Sequence, residues 1–286
     1  KRLMDSSSAH DSTADSSSTS SVSGSHCADL NALTDQGGGN RSRPMAIVLA
    51  AGKGTRMKSD LPKVLVTACG RPIITYVLDS LRKSGVGRIT IVVGYRQELV
   101  REALKDYPEL DFIEQTQQLG TGHAVMCCQP TLEQQTGPVV VVAGDSPMLQ
   151  SDSVSHLLDK MVSSKLACLL GTLHSPDPTG LGRIVRDDGK FVGIVEEKDA
   201  TDEQRKITEV NMSTYVFDGP KLFEVLHKID NKNKQNEFYL TDYPSVLLHR
   251  GETVDALPIL KDVEALSINT VEHLAAVEEA MKKLNL

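Results

Sequence analysis

The stretch AIVLAAGKGTRMKSDLPKVL, residues 46–65, decides how the chain is read. Ala46-Ile47-Val48-Leu49-Ala50-Ala51 is an apolar run of strand length with no polar residue alternating into it. Such a run is buried on both faces, the pattern of a strand inside a parallel sheet. It passes directly into Gly52, Lys53, Gly54, Thr55 and Arg56, with Pro62-Lys63 shortly after. Glycines let backbone N–H groups approach an anion, and a following helix adds its positive end. Two familiar phosphate motifs fail. Met57 stands where a GxGxxG fingerprint needs glycine, and Gly54 follows Lys53 where a Walker loop needs Ser or Thr. The loop is therefore a different phosphate cradle, with Lys53, Arg56 and Lys63 as cations for a triphosphate. Phosphoryl or nucleotidyl transfer needs that help, because charge neutralisation and alignment do most of the work.

The alternation continues outward from this strand. Ile73, Ile74, Val77, Leu78 and Leu81 fall on one helical face, and Gly85 follows as a stop. Residues 89–94 (ITIVVG), 112–115, 139–143 (VVVVA) and 166–173 read as strands. Residues 97–105, 121–134 and 152–162 read as helices. The predicted fold class is α/β, a Rossmann-like and mostly parallel sheet with helices on both faces. After about residue 175 a smaller, partly antiparallel region is expected, with strands at 183–186, 191–196 and 210–217. Helices return at 219–228, 241–250 and 270–284.

Ligands of such sheets sit outside the carboxyl ends of the strands. The 52–56 loop and Gly144-Asp145 both lie at strand ends and so face one crevice. Asp145 offers a carboxylate of the kind hard cations prefer, or it caps the next loop. In Gln115-Thr116-Gln117-Gln118-Leu119-Gly120-Thr121-Gly122-His123-Ala124 the glycines admit a flat ring. Gln115 and the backbone near Gly120 are candidates to read the edges of a base, the alternative being a plain glycine-rich helix start. His123 reads as a packed or capping histidine. Glu196 and Asn211 stand in strand contexts, where a buried polar side chain needs a partner such as a sugar hydroxyl or amide.

Composition bounds the rest. The chain has 286 residues and a net charge of -7, which argues against a general nucleic-acid binder. Residues 1–44 are rich in Ser, Thr, Asp and Gly and almost devoid of large apolar residues, so they are expected to be a disordered tail. No apolar core follows Lys1-Arg2, so this is not a signal peptide, and no run approaches a membrane span. Residues 45–286 are left as one nucleotide-handling domain. The five cysteines form no CxxC pair, consistent with reduced thiols in a cytoplasmic protein.

Together these segments resemble a known family. Leu49–Met57 and Leu61–Leu65 match the sugar-nucleotidyltransferase signature. QLGTGHA (118–124), Gly182-Arg183-Ile184, Val195–Thr201 (VEEKDAT) and EFYLTD (237–242) look like the uridyltransferase domain of bacterial bifunctional N-acetylglucosamine-1-phosphate uridyltransferase/glucosamine-1-phosphate acetyltransferases. The resemblance implies the nucleotide-diphospho-sugar transferase fold. It implies a reaction of UTP with N-acetylglucosamine 1-phosphate, using Mg2+. By motif position, Leu49, Ala50, Ala51, Gly52 and Gly54 line the nucleotide, and Arg56 and Lys63 act on its phosphates. Gln115, Gly120 and Thr121 read uracil, Gly182, Glu196 and Asn211 hold the sugar, and Asp145 and Asn269 hold the metal. Ala143, Met212, Ser213 and Asn236 depart from the family pattern around the sugar, so another sugar 1-phosphate or NTP stays open, as does a non-catalytic sugar-nucleotide sensor. No hexapeptide repeat follows Leu286, so neither acetyl transfer nor a β-helix trimer is expected.

Overall fold

The computed structural model describes residues 41–54, 60–266, 268 and 270–284. Among them, the strands are β1 (Met45–Ala50), β2 (Thr67–Ala68), β3 (Arg71–Pro72), β4 (Arg88–Val93), β5 (Leu110–Glu114), β6 (Pro138–Ala143), β7 (Cys168–His174), β8 (Gly182–Asp187), β9 (Lys190–Val195), β10 (Glu209–Asp218) and β11 (Val254–Leu257). The helices are α1 (Ile73–Lys83), α2 (Gln97–Ala103), α3 (Thr121–Cys127), α4 (Gln129–Leu132), α5 (Ser151–Ser164), α6 (Asp202–Arg205), α7 (Gly219–Val225), α8 (Asp242–His249) and α9 (Val271–Leu284). A nine-stranded sheet runs β11-β7-β10-β6-β1-β4-β5, with β8 joined to β10 and β9 to β8.

β1 lies parallel between β6 and β4, with Ile47 opposite Val141 on one side and Thr90 on the other. Its residues alternate between two cores. Met45 and Ile47 pack with Val139, Val141, Tyr215 and Phe217 on one face of the sheet. Ala46, Val48 and Ala50 pack with Val140, Val142 and Val216 on the other. This period-2 division of an all-apolar run makes a doubly covered strand. α1 and α5 cover the second face through Ile74, Val77, Leu81, Val154 and Leu158. α3, α7 and α8 cover the first through Ala124, Leu222, Val225, Tyr243 and Leu247.

Two expectations are corrected. The helix expected over 121–134 is split, α3 ending at Cys127 and α4 starting at Gln129. Pro130 has no N–H to donate, and its ring would crowd the carbonyl of Met126 in a continuous helix. The strand expected at 210–217 does not stay in a separate region. As β10 it enters the main sheet between β6 and β7, antiparallel to both. Tyr215, Val216 and Phe217 are fully buried, which only an interior position provides. The hydrogen bonding of the domain also begins earlier than the composition boundary at 44. The carbonyl of Arg41 accepts from the N–H groups of Thr136 and Gly137, and that of Pro44 from Gly87. Cys69, Cys127, Cys128 and Cys168 are free thiols, and Cys27 lies outside the described residues. Among the described residues no helix is long and apolar enough to cross a membrane.

Candidate functional site

Four strand ends are tied side by side. After β6, the Gly144 N–H donates to the carbonyl of Leu49 in β1 at 2.9 Å. After β4, Tyr95 donates to Ala51 at 3.1 Å, and after β5 Gln115 donates to Val93 at 2.8 Å. A cavity of about 520 Å³ opens over these ends. Leu49, Ala50, Ala51, Gly52 and Gly54 line one side, and Gln115, Gly120 and Thr121 another. Lys63 and Asp145 line it too, and the Lys63 ammonium donates to the Asp145 carboxylate. All the residues expected to line the nucleotide therefore meet at one cavity, with one expected phosphate cation and one expected metal ligand.

Arg56 and Asn269 lie outside the described residues. Lys53 does not join the cavity lining; its ammonium lies over the Tyr95 ring, 5.3 Å from the centroid.

Two glycines shape the walls. Gly54 has φ +65°, and a Cβ there would stand 2.6 Å from Lys63 Cβ. The missing side chain lets the turn at Lys63–Leu65 close against the loop and carries Lys63 to the cavity. Gly120 has φ +108°, and a Cβ there would stand 2.5 Å from the carbonyl oxygen of Phe238. That closeness permits two hydrogen bonds, Phe238 N–H to Leu119 at 2.8 Å and Gly122 N–H to Phe238 at 2.7 Å. The pairing brings Glu237 into the cavity wall. Gln118, Ser213 and Ala143 also line it. Local spacing gives no signal for Glu237, because its place depends on a segment more than a hundred residues away in sequence.

Gln115 is 4% exposed. Its Nε2 donates to the carbonyl of Gly120 at 2.9 Å and stands 3.0 Å from His123 Nδ1. Burial holds the His123 imidazole below its ordinary pKa, against the Gln117 carbonyl, which favours the charged form. His123, read from sequence as a packed or capping residue, is thus in contact with an expected base-reading side chain.

Gly182, Glu196 and Asn211 do not line this cavity, but they lie together beside it. Gly182 and Asn211 are register partners between β8 and β10. A Cβ on Gly182 would be 3.5 Å from Asn211 Cβ and 3.7 Å from Glu196 Oε1. The Thr241 hydroxyl donates to Glu196 at 3.1 Å. Asn211 Oδ1 accepts from the Ser213 N–H at 3.2 Å across a break in the β10 register. Asn211 therefore holds the bulge that presents Ser213 to the main cavity.

Glu196 lines a second cavity of about 470 Å³ together with Asp199, Asp230 and Asp242. Burial raises the Glu196 pKa, Thr241 opposes the rise, and Asp199 and Glu237 add to it. Asp242 is pushed up to about 6 by burial, then by Asp230, Glu196 and Asp199. Such carboxyl groups suit a ligand rich in hydroxyl groups, and Lys228, Lys232 and His249 line the same cavity.

Among the described residues no group of three or more His, Cys, Asp or Glu is arranged to hold a metal. Asp145 and Glu237 both line the main cavity, and a hard divalent cation commonly takes one or two carboxylates and completes its shell with ligand oxygens and water.

Residues 46–183 match the model of the MobA-like NTP transferase domain. Proteins named bifunctional protein GlmU are similar: that of Streptococcus gordonii is 42% identical over 83% of this chain and 52% of its own length. That of Shouchella clausii is 40% identical, again over 83% of this chain and 52% of its own length. The chain spans about half the length of these relatives. A UDP-glucose pyrophosphorylase complexed with UDP-glucose superposes with TM-score 0.68 at 18% identity, covering 85% of this chain and 99% of that one. A putative glucose-1-phosphate thymidylyltransferase from Bacillus anthracis gives 0.70 at 19% identity, over 85% and 97%. Both likenesses speak to the fold alone.

Proposed function

We propose that the chain is a nucleotidyltransferase, homologous to one part of the bifunctional GlmU proteins, and that it makes UDP-N-acetylglucosamine and pyrophosphate from UTP and N-acetylglucosamine 1-phosphate. The observation that carries this reading is the meeting of Lys63 and Asp145 in the cavity that also holds Gly52, Gly54, Gln115, Gly120 and Thr121. The likeness to an NTP transferase domain supports a nucleoside triphosphate, and the likeness to the GlmU proteins supports a sugar phosphate and the choice of uridine and the N-acetylated sugar. Proteins of this family generally use a divalent cation, here taken to be Mg2+, and the cytoplasm is the proposed place of action.

The reaction joins two anions. An oxygen of the sugar phosphate attacks the α-phosphorus of UTP in line. The new P–O bond forms as the bond to the β-phosphate breaks, and pyrophosphate leaves. The attacking phosphate is already ionised near neutral pH, so no side chain has to take its proton. The protein's work is to hold the reactants together against their repulsion. The glycine loop presents backbone to the phosphates, and Lys63 and Arg56 neutralise them. Gln115, Gly120 and Thr121 hold the base, and Gly182, Glu196 and Asn211 hold the sugar. Asp145 and Asn269 would hold a divalent cation, which would supply further neutralisation of the phosphates.

The test is pyrophosphate release with UTP, Mg2+ and N-acetylglucosamine 1-phosphate, alongside other NTPs and sugar 1-phosphates. Turnover with UTP and the N-acetylated sugar, lost in Asp145→Ala, is expected. Turnover with a different pair would replace the substrates, and nucleotide binding without pyrophosphate release would make the chain a sensor.

A further inference from the structure

We infer that His123 is a positioning residue that fixes which atom of the Gln115 side chain meets the nucleotide base, and so sets base selection. The inference rests on the proposed reading that the cavity takes a nucleotide through Gln115.

The chemistry of the contacts fixes the amide. A carbonyl can only accept, so the atom that Gln115 turns toward the Gly120 oxygen at 2.9 Å is the nitrogen. That nitrogen carries two N–H bonds. One is used by Gly120, and the other is directed at His123 Nδ1, 3.0 Å away. Nδ1 must then be the bare nitrogen of a neutral ring, its proton on Nε2. The burial that lowers the imidazole pKa favours the same neutral state.

With both N–H bonds engaged, Oε1 is the atom left for a ligand. Among the described residues no hydrogen bond reaches it. Gln115 lines the cavity, and among the described residues the only polar atom of its amide not already engaged is this acceptor, so an acceptor is what we infer it offers the base. Uracil carries a ring N–H at position 3, which donates to an acceptor. Cytosine is nearly the same shape but carries a lone pair there, which faces the acceptor unfavourably. A reversed amide would present an N–H and invert the preference. The Gly120 carbonyl alone holds one N–H; His123 holds the second and opposes reversal. A site built around one hydrogen-bonding pattern rejects the isostere with the opposite pattern more strongly than a hydrophobic pocket rejects a change in size.

The experiment measures binding of UTP and of CTP to the full chain by calorimetry, in wild type, His123→Leu and His123→Asn. Wild type is expected to prefer UTP. His123→Leu removes the acceptor and should shrink the UTP-to-CTP ratio by on the order of tenfold, the worth of one well-placed hydrogen bond. His123→Asn keeps an acceptor and should retain most of the ratio. A purely structural histidine would weaken both nucleotides alike. His123→Ala serves as a smaller acceptor-free variant should the leucine fail to fold. An unchanged ratio in the folded acceptor-free variants overturns this inference and leaves the proposed function standing. A wild-type chain that binds neither nucleotide overturns both.

Discussion

A side chain on Gly52 would meet nothing within 4 Å, although Gly52 lines the cavity at the end of β1. The glycine is therefore not required by packing, and its φ is not in the left-handed region. Gly52→Ala is expected to keep the melting temperature or raise it slightly, since the unfolded chain loses freedom. On the proposed reading, in which this backbone cradles phosphate, its KM for UTP should rise on the order of tenfold, because the methyl group would project into the cavity. Gly120 is the opposite case. Its φ of +108° and the Phe238 oxygen 2.5 Å from a would-be Cβ make Gly120→Ala destabilising, by about 1–3 kcal/mol in urea denaturation. Both glycines are visible in the sequence. That one is shaped by the protein and the other leaves room for a ligand is not, because the difference lies in atoms that come from elsewhere in the chain.

At the scale of elements, the VEEKDAT stretch splits into different duties. Glu196 stands beside Gly182 and Asn211, whereas Glu197 turns to Arg183 and accepts from its guanidinium at 2.7 Å. Arg183 lies in β8, is 1% exposed, and also donates to the carbonyls of Leu181 and Arg205. Thr201 caps α6, accepting from the Gln204 N–H while the Gln204 side chain accepts from the Thr201 N–H. The stretch thus fastens β8, β9 and α6 together around a buried cation. Glu197→Ala leaves that cation without its carboxylate and should cost about 1–3 kcal/mol, less than a fully buried pair because Glu197 is 28% exposed. Glu197→Gln, which can still accept, should cost less. Equilibrium urea curves check both.

Across the whole molecule, tertiary contacts gather carboxyl groups that the sequence scatters. Glu196 and Asp199 follow β9, Asp230 precedes the Glu237 segment, and Asp242 opens α8; all four line one cavity. Asp242 has a folded pKa of about 6, well above its ordinary value. The folded state therefore binds its proton more tightly than the unfolded state does. Stability from this group is present below about pH 4 and is lost as pH rises toward about 6. Asp242→Asn should accordingly stabilise the protein at pH 7–8 by about 1–2 kcal/mol, discounted for partial exposure, and change little at pH 4. Urea midpoints across that range check the sign. The sequence by itself determined the doubly covered parallel strands and the glycine turn that follows β1, because apolar runs and glycine spacing are local physical signals. It also determined which residues of the loop and of the 115–124 stretch stand at strand ends. Only the tertiary structure decided that β10 enters the main sheet, that Glu237 and Ser213 reach the cavity, and that His123 holds the Gln115 amide. Each of these depends on a hydrogen bond or a pairing between distant segments, and no local periodicity encodes which partner a buried polar group will find.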